Sequence, residues 1–286
     1  LVTPGSSYTE DFNSLAPSGA TNPWADNTTI SGWYSQFSLV AANPTVYRAD
    51  AGGTNAGAIY SWGTGTATER AFGSIASGTP GNILNAVRLL NNTGSTITSL
   101  LVSFTGEQWR AGGCSGAGCT PALQPLDFQF QVAATGTITD ANTPATGWTD
   151  HDALDFVSPT PGIATAAALD GNAAANRLAL SSTISVTVNA GEEVWLRWFD
   201  TNDANNDHGL SIDDFSVTPQ GGGTAINLSL NDVSQNEGDT GTTNFSFTVS
   251  LSAPAPAGGV TFDIATADGT AEDGNPPTED SDYVAQ

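Results

Sequence analysis

Short apolar and β-branched runs, each closed off by a cluster of Gly, Asn, Pro, Asp or Ser, recur along this chain and constrain its fold more than any other feature. The clearest are Thr98–Phe104, Asp127–Val132, Ile184–Val188, Val194–Phe199 and Leu210–Val217. Runs of that length between turn residues mark antiparallel sandwiches and jelly rolls. Within Leu126–Val132 apolar and polar residues alternate, and Val194-Trp-Leu-Arg-Trp-Phe199 sets Arg197 between two tryptophans. Both segments predict core strands with one wetter face. Helical periodicity is nearly absent; the Ala-rich stretch Ile163–Ala175 is where a turn or two of helix would fall. The predicted fold class is all-β, a jelly-roll-like antiparallel sandwich followed by a smaller Ig-like one.

The chain has 286 residues, which favours two domains. Seven Trp and twelve Phe supply enough apolar volume for real cores. Thr218-Pro-Gln-Gly-Gly-Gly-Thr224 follows the last strand of the larger region and has few side chains to pack. We therefore divide the chain into a sandwich over 1–219, a Gly-rich linker over 220–224 and a second domain over 225–286.

The net charge is −23 because six Arg are the only strong cations, not because acids are enriched. Such a surface repels phosphate backbones and anionic lipid and attracts divalent cations, so direct nucleic-acid binding and membrane insertion are not expected. Cys114 and Cys119 share a Gly-rich loop, predicting a local disulfide and an oxidising compartment. No further Cys and no nearby His would complete a zinc shell. The chain starts at Leu1 and has no apolar run long enough to cross a bilayer, as a mature secreted or cell-surface protein would.

Residues 1–219 resemble an N-terminal β-sandwich region of large secreted bacterial proteins, some of them extracellular nucleases. The segments carrying this are Tyr8-Thr-Glu-Asp-Phe-Asn-Ser-Leu15, Ile30-Ser-Gly-Trp-Tyr34, Glu69-Arg-Ala-Phe-Gly73, Phe104-Thr-Gly-Glu-Gln-Trp-Arg110, Leu154-Asp-Phe156, Trp195-Leu-Arg-Trp198 and Asp207-His-Gly-Leu-Ser-Ile-Asp-Asp-Phe215. From about Thr224 the chain resembles the start of a Calx-β domain, in Val233-Ser-Gln-Asn-Glu-Gly238, Phe245-Ser-Phe-Thr-Val-Ser-Leu251, Ala267-Asp-Gly-Thr-Ala271 and Asp280-Ser-Asp-Tyr283. That segment is shorter than the roughly 100 residues a seven-stranded sandwich uses. A longer parent protein is expected, or strands supplied by a neighbouring chain.

Calcium is the expected cofactor, and three sets of oxygen ligands are candidates. Asp203, Asn205, Asp207 and Asp214 fall at the first, third, fifth and twelfth positions of an EF-hand-like loop, although His208 stands where that loop needs Gly. The competing reading is a polar turn whose Asn and Asp satisfy local backbone. Jelly-roll modules like the one resembled hold calcium between their terminal strands, which here implies Glu10 or Asp11 with Asp213 or Asp214. Strand alternation allows only one of each pair to face such a site. The Calx-β resemblance implies Glu237, Asp268, Asp273, Asp280 and Asp282.

Catalytic signals are sparse. His151 and His208 each adjoin an Asp, and neighbours on a strand point to opposite faces and form no relay. Trp33, Tyr34, Trp62, Trp109 and Trp148 would stack on sugar rings if exposed, but such aromatics more often plug sandwich cores. Glu69 beside Arg70, and Glu107 near Arg110, read as ion pairs, or the arginines as carbonyl anchors. The expected function is a non-catalytic, calcium-binding extracellular module for surface assembly, adhesion or ligand binding, carbohydrate and other surface proteins being the partners. The alternatives are the accessory region of a secreted hydrolase such as a nuclease, and a filament or surface-layer subunit that self-assembles by strand exchange.

Overall fold

The computed structural model describes the chain except residues 41–42, 115–117, 205, 222–226, 237–240, 253–254, 256–258, 269–270, 272–282 and 284–286. It separates into two compact units, Leu1–Gly223 and Thr224–Gln286.

The first unit is all-β. Its early strands are β1 (Tyr8–Glu10), β2 (Asn22–Pro23), β3 (Trp33–Phe37), β4 (Val46–Asp50), β5 (Ala58–Trp62), β6 (Ala71–Ile75) and β7 (Ile83–Leu90). They are followed by β8 (Ile97–Ala111), β9 (Pro125–Ala134), β10 (Thr149–Asp150), β11 (Phe156–Val157), β12 (Ala167–Ala168), β13 (Arg177–Val188), β14 (Glu192–Asp200) and β15 (Gly209–Gln220). One sheet has nine strands, ordered β12-β8-β15-β6-β5-β4-β2, with β1 also pairing β15 and β13 also pairing β8. The other has six, ordered β10-β9-β14-β7-β3, with β11 also on β9. Every pairing is antiparallel except β4 with β5.

The inner faces meet in one aromatic core. Trp198 lies at its centre, stacked on Trp33 at 5.7 Å between ring centroids, with Phe104, Phe128 and Phe215 edge-on at 5.3–5.5 Å. Trp33, Trp62 and Trp109 are fully buried, so the packing reading of these aromatics holds. The strand predicted over Leu210–Val217 runs on to Gln220, paired with Ser99, so the first residue assigned to the linker belongs to the sheet. The Ala-rich stretch forms no helix: it contributes β12, and a three-residue 3₁₀ turn over Asp152–Leu154 is the helical element among the described residues. Asp-Gly-Asn at 170–172 interrupts the stretch with turn-forming residues.

Strand β8 is long enough to serve two layers. Leu100, Val102 and Phe104 point into the main core, while Glu107 and Trp109 point to the opposite face of the sheet. That outer face has a small core of its own, built from Tyr60, Trp62, Ala71, Ile75 and Trp109. Tyr60 and Trp62 stack at 4.1 Å, and Trp62 lies parallel to Trp109 at 6.5 Å. Residues 169–176 lie across it: Leu169 N–H donates to the Trp109 carbonyl, and a Cβ on Gly171 would meet the Trp109 ring at 2.3 Å.

In the second unit the described strands are β16 (Leu228–Leu230) and β17 (Val249–Leu251), paired antiparallel.

Candidate functional site

The terminal strands of the first unit run side by side, with Glu10 opposite Phe215 and Tyr8 opposite Val217. An open groove at the end of this pair is lined by Glu10, Asp11 and Asp214. The alternation rule admits only one acid of each adjacent pair; it holds for Asp213 and Asp214, of which Asp214 alone lines the groove, and fails for Glu10 and Asp11 for a local reason. β1 ends at Glu10 and Phe12 turns into the left-handed region at φ 53°, so Glu10 and Asp11 both reach the groove. On β15 the register slips between Asp213 and Ser216, and Asp214 takes φ 48°. This bulge places two residues between the core positions Ile212 and Phe215, so neither Asp213 nor Asp214 enters the main core. Asp214 is exposed in the groove and Asp213 is buried beneath the outer face.

In the groove, Glu10 Oε1 accepts the Phe12 N–H at 3.0 Å and Asp11 Oδ1 accepts the Asn13 N–H at 3.1 Å, so each carboxylate is oriented by the backbone just ahead of it. Burial pushes the Glu10 carboxyl up, with the Asp11 charge adding to the effect. The groove therefore presents carboxylate oxygens, the donor type that hard cations take.

The EF-hand-like spacing does not produce an EF-hand loop. β15 is extended from Gly209, which carries Asp214 roughly 16 Å away from that residue at a strand's rise. Asp203 and Asp207 remain together at the other end, where Asp207 Oδ1 accepts the Asp203 N–H at 2.7 Å. This is the polar-turn alternative. Burial pushes Asp207 up to about 7, and the fully buried Asp200 nearby up to about 8. Asn205, Glu237, Asp273, Asp280 and Asp282 lie outside the described residues. Asp268 accepts a hydrogen bond from the Tyr283 hydroxyl at 2.7 Å.

Both histidines are hydrogen-bonded within the fold. His208 Nδ1 accepts the Gly112 N–H at 2.8 Å and its Nε2 faces the Ala122 carbonyl at 3.2 Å, which ties β15 to both sides of the cysteine loop. Burial lowers its pKa, consistent with a neutral ring held by one acceptor and one donor nitrogen. His151 Nε2 contacts the Ser182 hydroxyl at 2.9 Å. Cys114 and Cys119 form the predicted disulfide.

A second acidic group was not anticipated as such. One carboxylate oxygen each from Glu69, Glu107 and Asp213 lie within 4.8 Å of one another. Glu107 is fully buried and Asp213 is 7% exposed. Their arginine neighbours point elsewhere: Arg70 donates to the Ser61 hydroxyl and carbonyl, and Arg110 to the Gly52 and Gly53 carbonyls. The carbonyl-anchor reading of the arginines therefore holds and the ion-pair reading does not. Among the described residues the one ion pair is Arg88 with Glu193. Burial pushes Glu107 up to about 7, and burial together with the neighbouring carboxylates pushes Asp213 well above the usual range. At an effective dielectric of about 20, two carboxylates 4.8 Å apart repel by about 3.5 kcal/mol, so three of them at this spacing do not coexist ionised without compensation. In sequence Glu69 and Glu107 read as ion-pair partners because Arg70 adjoins the one and Arg110 follows the other, whereas what matters is a neighbour across the sheet.

No family model and no curated protein matches this chain. Among solved structures it is similar to the K3 cleaved adhesin domain of Lys-gingipain from Porphyromonas gingivalis, at 13% identity over 74% of this chain and 97% of that one, with a TM-score of 0.38. The K2 cleaved adhesin domain of Lys-gingipain gives 16% identity over 74% and 97%, with a TM-score of 0.35. A structure titled for a CBM4 module gives 13% over 66% and 86%, at 0.25.

Proposed function

We propose that this chain is a non-catalytic, extracellular β-sandwich module serving surface assembly, adhesion or ligand binding, with calcium held between its terminal strands and a Calx-β-like segment following. The observation that carries the reading is the open groove that Glu10, Asp11 and Asp214 line, shaped by the left-handed residues Phe12 and Asp214. The disulfide supports an oxidising, extracellular setting. Commitment of both histidines to fixed hydrogen bonds, and burial of Glu107, Asp200 and Asp213, supports a non-catalytic role. Carbohydrate or a surface protein is the ligand class. Of the tryptophans weighed as sugar platforms, Trp148 alone is partly exposed, with the Arg197 guanidinium 3.8 Å from its ring centre.

Calorimetric melting in calcium and in chelator tests the calcium reading. With an affinity near 10⁻⁴ M, about 10 mM calcium stabilises by ~2.7 kcal/mol and raises the melting temperature by roughly 5–10 °C. Asp11→Asn with Asp214→Asn should abolish that part of the shift. An unchanged shift in this variant would overturn the groove as the calcium site. Screening the calcium-loaded protein on an immobilised glycan panel tests the ligand class, and retention of glycan binding by Trp148→Ala would remove Trp148 from it.

A further inference from the structure

The three carboxylates under the outer face of the nine-stranded sheet share an arrangement that repulsion alone does not explain. Two of them have one oxygen anchored by a donor: Trp109 Nε1 donates to Glu107 Oε2 at 2.9 Å and the Asn172 amide donates to Glu69 Oε2. Each of the three has one oxygen, Glu69 Oε1, Glu107 Oε1 and Asp213 Oδ1, that is buried without any hydrogen-bond partner. A buried polar atom with no partner is uncommon, and three on one cluster point to a missing common partner. Arg177 lies across the ladder from Glu107 but is exposed and makes no ion pair with it.

We propose that Glu69, Glu107 and Asp213 hold a buried calcium ion, at a site separate from the terminal-strand groove. The ligand class follows from donor type and spacing. Oxygens up to 4.8 Å apart span a cation with metal–oxygen distances of about 2.4 Å, within the range calcium uses. Magnesium needs about 2.1 Å and keeps several waters, which a buried pocket of this kind does not favour. The donors behind Glu69 and Glu107 act as the outer partners that orient metal ligands. The ion would brace a junction between distant segments, since Glu69 precedes β6, Glu107 lies on β8 and Asp213 on β15. Residues 169–176 roof the site through the Leu169 and Asn172 contacts, so the ion enters on folding and leaves slowly.

This proposal does not depend on the groove reading, and the test keeps the two apart. Bound ions per chain are counted by native mass spectrometry and elemental analysis on the full chain refolded with calcium, with magnesium or with chelator. The counts are compared with those for Glu107→Gln plus Asp213→Asn and for Asp11→Asn plus Asp214→Asn. The proposal requires the first variant to lose a calcium ion that the second retains. Terbium as a calcium probe gives an independent readout on a conservative change. Because Trp109 touches and orients Glu107, indole-sensitised terbium emission should fall in Trp109→Phe, through loss of the sensitiser and weaker binding together. Equal counts in wild type and in Glu107→Gln plus Asp213→Asn would overturn the proposal and leave the cluster as carboxyls sharing protons. Terbium emission unaffected by Trp109→Phe would overturn it as well, and is readable even if the carboxylate variants fail to fold.

Discussion

Replacing Asp200 by Asn should make the protein markedly less sensitive to rising pH. Asp200 closes β14, is 3% exposed and accepts the Ser74 hydroxyl at 2.6 Å, with Asp207 and Asp203 close enough to add unfavourable charge. Burial is the main cause that pushes its pKa from 3.8 to about 8. The folded chain therefore holds a proton here that the unfolded chain releases once the pH exceeds about 4. A raised acid contributes stability that is complete below the unfolded pKa and is lost as pH climbs through the folded one. Taking 3.8 and about 8 as the two values, the loss between pH 4 and pH 7 is about 4 kcal/mol as an upper bound, since each pKa unit is worth about 1.4 kcal/mol. Relaxation of the site and entry of water reduce that to about half. Asn resembles the protonated acid in shape and does not titrate, so Asp200→Asn should gain about 2–4 kcal/mol on wild type over the same interval. Urea unfolding at pH 4, 5, 6 and 7, followed by tryptophan fluorescence, measures the difference directly. Parallel pH profiles for the two proteins would refute the reasoning, and would mean that Asp200 is ionised in the folded state and compensated by a partner.

Two further substitutions test the packing that positions the site. A Cβ on Gly106 would lie 2.2 Å from the buried Phe156 ring, so Gly106→Ala should cost about 1–3 kcal/mol and lower the urea midpoint without changing the slope. Arg197 donates to Gln129 Oε1 and to the Ala141 carbonyl, and stacks on Trp148. Its pKa, lowered by burial to about 10, leaves it charged at neutral pH. Arg197→Lys keeps that charge but loses the planar fork, and should cost about 2 kcal/mol while making Trp148 more accessible to a fluorescence quencher.

How much of this was legible in the residues depends on whether the information is local. Val194–Phe199 announces itself as a strand because its aromatic and aliphatic pattern is contiguous, and Trp198 then has only the core to occupy. The cysteine loop is equally local, because a short Gly-rich spacer lets the sulfurs meet. The acidic sites are different. Asp203 to Asp214 has the spacing of a calcium loop, yet the apolar residues Leu210, Ile212 and Phe215 commit that segment to a strand, and burial of those side chains outweighs a loop that lacks its turn glycine. The bulge that turns both Asp213 and Asp214 away from the main core has no signature beyond the doublet itself, because it is set by the register of β15 against β8. Glu69 and Glu107 are farther still from any local rule. Their meeting with Asp213 needs β8, β15 and the segment leading into β6 brought together across long stretches of chain. The hint that was present is Glu107 itself, an acid two residues from a tryptophan on the same face of a strand, where alternation leaves it to share whatever covers Trp109. Glu193, in the same relation to the buried Trp195, finds Arg88, whereas Glu107 pairs with no cation of the chain and has to take its counter-charge from outside the polypeptide or give up its own.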